Sequence, residues 1–255
     1  MKWIDKSAST STAIRDYLAL QTPIGHGLSY KTFASAGAPG GGSWGAKLRA
    51  ELTADQRGLC AYTGAGIDER LGRLADPNKR VVFASHNEHL KPQSECKAKL
   101  TKTGKTYDHD VGDDMSSANV VAALLVQGSG KGAKVEKKDL FGAAHRENDR
   151  VPMRPTFKSC EKRLQYLENG PVTATDARDQ AAINTISVLN LNNPTLAGWR
   201  AQAVAVFIEA INSVSDAETL VRMLDEPSTR PLPEYAFAIR QVVQRMLQAS
   251  AIPTP

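Results

Sequence analysis

The chain has 255 residues, a formal net charge of +5 and a hydrophobic fraction of 41%. This is the balance of an ordinary soluble protein, long enough for one large domain or two small ones. No apolar run approaches the roughly 20 residues of a membrane span, and Met1 to Lys6 lack the apolar core of a signal peptide, so a cytoplasmic location is expected.

In chain order, Ser11 to Gln21 reads as a short amphipathic helix with Ile14, Tyr17 and Leu18 on one face. Gly37 to Gly45 is a flexible Gly/Ala/Ser/Pro-rich connection, and a helix follows from about Ala46 to Glu51. Thr53 and Gln56 have capping-box spacing for a further helical turn, which Gly58 stops. From Cys60 to Pro155 the chain is loop-rich, with strands expected at Val81–Phe83 and Val120–Val126 and a short helix from Lys138 to Asn148. Beyond Pro155 the character is helical. Thr173, Thr175 and Asp176 offer N-caps for a helix through Leu189, and Asn193-Pro194 opens another. Asp216–Met223 and Pro233–Leu247 complete a helical layer whose apolar stripes read as core.

The three cysteines, Cys60, Cys96 and Cys160, are far apart and form no CxxC pair. A four-cysteine zinc site is excluded, and reduced thiols are expected, with Cys60 in the core.

The chemistry concentrates in Ser85-His86-Asn87-Glu88-His89-Leu90-Lys91-Pro92. An acid–His pair at the end of a strand, broken soon after by a proline, looks like the first arm of a ββα-metal nuclease site. Such a site needs a neutral imidazole to take a proton from water and an oxygen ligand to hold a divalent ion. Glu88 and His89 are adjacent, so on a continuing strand they point to opposite faces; one centre can use both only if the strand ends there. The zinc-protease spacings fail, because Asn87 stands where HExxH needs its glutamate, and Pro92 disfavours the helix.

His86 is a second catalytic candidate. Asn119 opens the second strand and can hold the base in place through backbone hydrogen bonds. His145 and Asn148 share a face of the short helix. One or both are expected to complete an oxygen/nitrogen site suited to Mg²⁺ or Mn²⁺. The alternative is a solvated helix end. Asp108-His109-Asp110 with Asp113 and Asp114 reads as a solvated acidic loop or a second ligand cluster, and His26 flanks nothing decisive. Lys131, Lys134, Lys137 and Lys138 sit among Gly128, Gly130 and Gly132, either as a phosphate-touching loop or as a solvated one. Lys91 and Arg146, with Arg150 and Arg154, are further candidates for gripping a nucleic-acid backbone, or ordinary surface charge.

Several blocks together resemble the HNH endonucleases of retron and Septu-type anti-phage systems. They are LCAYTG from Leu59, HNEHLKPQ from His86, NVVA from Asn119, FGAA from Phe141, SCEKRLQY from Ser159 and TISVLNLN from Thr185. The resemblance implies an infection-triggered nuclease acting beside an ABC/SMC-type ATPase, often next to a reverse transcriptase. It implies His89 as the base, Glu88 at the metal and Asn119 as the middle asparagine. Thr63 replaces the second cysteine of a CxxC and the later cysteine pair is absent, so no structural zinc is expected. Gly142 has no side chain to act as a ligand, which leaves His145 as the helix contribution.

The expected architecture is α+β: an N-terminal helical segment (1–58), a ββα-metal core (59–155) and a helical C-terminal region (156–255). The expected function is metal-dependent endonuclease. The alternative is a decayed scaffold that binds nucleic acid or a partner without turnover.

Overall fold

The computed structural model describes residues 1–21, 29–73, 81–96, 113–128, 134–213, 219, 222, 224 and 231–250. The fold is mixed α+β. Three helices open it: α1 (Ala13–Leu20), α2 (Tyr30–Ser35) and α3 (Trp44–Asp55). Then come β1 (Val81–His89), α4 (Gln93–Cys96), β2 (Val120–Gly128) and α5 (Ala143–Arg146). A small hairpin, β3 (Leu164–Tyr166) and β4 (Val172–Ala174), precedes α6 (Gln180–Val188), α7 (Pro194–Asn212) and α8 (Ala236–Ser250).

Helix starts follow local capping chemistry. Ser43 accepts a hydrogen bond from the Ala46 N–H and starts α3. Thr12 gives α1 no side-chain cap. Glu51 of α3 takes over, accepting from the Thr12 and Ala13 N–H groups at 3.0 Å each. A carboxylate at a helix N-terminus is also favoured by the helix dipole. Thr53 lies inside α3 and starts no new turn. The cap of α6 is Asp179; of the three expected cap residues, Thr173 lies in β4. Asn193 caps α7 with Pro194 in the first turn, as its sequence predicts. The helix expected over Asp216–Met223 falls almost wholly outside the described residues.

β1 and β2 pair antiparallel in an unbroken register from Val81↔Gly128 to His89↔Val120. Val120 to Leu124 of β2 are fully buried, while β1 is half-buried up to Glu88. The edge of β2 away from β1 is closed by other groups. The Gln56 amide donates to the Ala122 carbonyl and accepts from its N–H, both at 2.8 Å, and also donates to the Leu59 carbonyl. Cys60, buried as expected, takes the Leu124 N–H on its sulfur. All three cysteines are free and buried.

Two aromatic clusters flank the hairpin. Tyr17, Phe33 and Trp44 meet edge-on or tilted with centroids 5.2–6.4 Å apart and join α1, α2 and α3. On the other side Phe83, Phe141 and Trp199 join β1, the approach to α5 and α7, with centroids 5.3–6.4 Å apart. One buried core runs from Met1 to Ala238, so the three sequence segments share it. A smaller cluster joins α7 and α8 through Val204, Ile239, Val242 and Val243. In the turn between β3 and β4, Gly170 has φ +102°, and a Cβ there would lie 2.0 Å from the Ala197 carbonyl oxygen. Among the described residues, no helix is long and apolar enough to cross a membrane.

Gln56 is 3% exposed, and its amide serves as a third strand for β2. Replacing it with Leu leaves the buried Ala122 N–H without an acceptor. The Gln56→Leu chain is expected to lose about 2 kcal/mol or more in urea unfolding; an unchanged midpoint would refute this role.

Candidate functional site

The site sits where β1 ends. Successive strand residues face opposite ways, so Ser85, Asn87 and His89 line one face and His86 and Glu88 the other. The strand does end at His89, yet Glu88 and His89 still take partners on opposite sides.

His89 is 7% exposed. Its Nε2 lies 3.0 Å from the Asp114 carbonyl oxygen, an acceptor, so Nε2 carries the hydrogen and the neutral ring keeps its lone pair on Nδ1. The ring packs edge-on against Tyr30, with centroids 4.4 Å apart. The buried Asp114 carboxylate in turn accepts the Tyr30 N–H at 3.0 Å, locking the start of α2 to the same residue. Burial pulls the His89 imidazole below its ordinary range, against the opposing pull of the Asp114 carbonyl.

Asn119 grips the two residues after His89. Its carbonyl accepts the Leu90 N–H at 2.8 Å and its Oδ1 accepts the Lys91 N–H at 2.9 Å. These are backbone hydrogen bonds across the loop between β1 and β2. Asn87 donates to the Gly45 carbonyl at 2.7 Å, tying the same strand to α3.

On the opposite face the His86 Nε2 lies 3.0 Å from Glu88 Oε2, and the Arg146 Nε lies 2.9 Å from Glu88 Oε1. Arg146 also donates to the Tyr62 hydroxyl at 3.1 Å and to the His89 carbonyl at 2.7 Å. Burial pushes the Tyr62 phenol well above its ordinary range, so it stays neutral beside the guanidinium. Arg146 is 2% exposed. It belongs to the interior and is not offered to a phosphate backbone.

The ligands expected from α5 do not reach Glu88 as a set. Gly142, with φ +63°, and Glu147, with φ +51°, confine α5 to a single turn. His145 turns to the Val188 carbonyl, 2.8 Å from its Nδ1, and Asn148 is exposed. Among the described residues, no three His, Cys, Asp or Glu side chains gather as a metal-holding group. A hard divalent ion needs several oxygen-rich ligands. Among the described residues, Glu88 has beside it one imidazole and a guanidinium, which has donors but no acceptor. This donor set does not fit the Mg²⁺ or Mn²⁺ expected of the sequence.

Lys134, Lys137 and Lys138 are exposed, and Lys138 pairs with Glu136 at 2.6 Å. Lys131, His26 and Asp108-His109-Asp110 lie outside the described residues. Tyr30, Tyr62 and the structural role of Asp114 escaped the sequence reading. Tyr62 lies within the LCAYTG block; Tyr30 is nearly 60 residues from its partner and carries no local signal.

No family model and no curated protein matches this chain.

Lys6 completes the back of the site, its ammonium donating to the carbonyl of Val120, the residue paired with His89. Burial lowers this ammonium to about 8, against the pull of Asp55. The unfolded lysine titrates near 10.4. Between those values the unfolded chain binds more protons than the folded one, so stability rises with pH across the window. The stability difference between wild type and Lys6→Gln, followed by urea unfolding from pH 8 to 10, is expected to climb in favour of wild type. A flat or falling difference would contradict this.

Proposed function

We propose that the chain is an HNH-type endonuclease that hydrolyses nucleic-acid phosphodiester bonds with His89 as general base. The observation that carries this reading is the His89 ring at the end of β1, with Nε2 fixed on the Asp114 carbonyl and the Nδ1 lone pair left for a water proton. The order β1, β2, α5 supports reading the hairpin and its short helix as the ββα core. Neutral His89 takes a proton from water, the water oxygen attacks phosphorus, and the 3′ oxygen leaves with a proton from solvent. Lys134 and Lys137 are exposed cations suited to the strand's phosphates. Action beside an ABC/SMC-type ATPase and a reverse transcriptase in anti-phage defence rests on the sequence blocks alone.

A second reading has its own observation. Arg146 closes on Glu88, and a scaffold whose metal position is filled by an arginine suits a subunit that binds nucleic acid or a partner without turnover.

A cleavage assay on supercoiled plasmid and total tRNA separates the two. Wild-type chain is expected to cut one of them. His89→Ala is expected to lose between about 10²- and 10⁴-fold in rate, with its circular dichroism and nucleic-acid binding unchanged. Equal cleavage by the variant would remove His89 from the chemistry. Binding without cleavage by wild type, alone and with its ATPase, would establish the second reading.

A further inference from the structure

We propose that Arg146 is the resident cation of the Glu88 site, filling the place at the carboxylate that a divalent metal would need, so that the wild-type chain takes no divalent ion there. The inference rests on the endonuclease reading only for the expectation that a metal belongs at Glu88.

Three features argue for it. The guanidinium side chain is 3% exposed, hydrogen-bonds the Tyr62 hydroxyl and the His89 carbonyl, and forms an ion pair with Glu88 Oε1 at 2.9 Å, an oxygen that takes no hydrogen bond. It is therefore part of the packed interior, unlike a mobile surface arginine that a metal could push aside. Its helix is fixed too: α5 is one turn, bounded by positive-φ residues at both ends and held to Val188 through His145. The charges then balance without a metal. One carboxylate meets one guanidinium, and the neighbouring phenol stays neutral because it is buried. A divalent ion at Glu88 would leave two cations on one carboxylate in a site with little water to screen them.

Removing the guanidinium charge reverses the balance. Glu88 would regain an unmatched negative charge with His86 Nε2 at 3.0 Å beside it, a carboxylate and an imidazole poised on one side of a cation.

The test is Mn²⁺ binding, read by calorimetry and by paramagnetic broadening of the His86 ring protons. Wild type is expected to show no broadening of His86 and no binding that Glu88→Gln abolishes. Arg146→Gln is expected to gain one Mn²⁺ site at least about tenfold tighter than anything in wild type, lost again in the Arg146→Gln/Glu88→Gln double variant. Broadening of His86 in the wild type would overturn the proposal. So would a folded Arg146→Gln chain that binds Mn²⁺ no better than wild type. Should Arg146→Gln not fold, the wild-type broadening decides alone. Cleavage is not read, so a chain that proves inactive leaves this result standing and affects only the endonuclease reading.

Discussion

One guanidinium ties the end of β1 to α5. Arg146 reaches from a single helical turn to the Glu88 side chain and, one residue on, to the His89 backbone, while a third contact fixes it to Tyr62. A strand end is where a ladder frays. Here the last two residues are tied through both side chain and main chain to an element beyond β2. That tie sets the height of His89 on the hairpin and leaves its ring to the opposite face. A buried charge survives only when paired. Arg146 and Glu88 therefore depend on each other, and the position of α5 depends on both.

The rest of the structure brings rigid parts to that junction. β2 is buried from Val120 to Leu124 and closed on its free edge by Gln56, so it cannot slip in register without exposing a buried amide. One aromatic cluster seats α1 to α3 behind Asn87 and His89; the other seats α7 against Phe83 and the approach to α5. His89 is thus fixed by groups from three sides: Asp114 for the proton position, Tyr30 for the ring plane, and Asn119 for the backbone that follows. Such an arrangement sets a tautomer without a side-chain carboxylate. The same packing leaves Glu88 facing a cation of the chain's own.

Much of this was legible in the sequence, for identifiable reasons. Asn193-Pro194 announces α7 because capping and the fixed proline φ are local effects. Val120 to Val126 reads as a buried strand because both its faces are apolar. β1 extends further than its apolar start, to His89, because polar residues from Ser85 onward are held by pairing with β2, which is a long-range effect. The helix expected over Lys138–Asn148 shrinks to four residues because Gly142 and Glu147 take positive φ. Within that turn, adjacent residues point about 100° apart. Sequence alone does not say which of His145 and Arg146 faces the strand, and the answer decides whether Glu88 meets an imidazole or a guanidinium. Tyr30, Tyr62 and Asp114 come from distant parts of the chain and carry no shared spacing. β3 and β4 are three residues each, too short to show a period.

The most direct test of the account is a double-mutant cycle between Glu88 and Arg146, read as unfolding free energy. Breaking a buried pair from either side costs about 3–5 kcal/mol, because the partner is left charged and alone. Glu88→Gln and Arg146→Met are each expected to lose that much, and the double variant clearly less than the sum, with a coupling of at least about 1.5 kcal/mol. Additive losses, or single variants as stable as wild type, would show that the guanidinium does not hold this junction together.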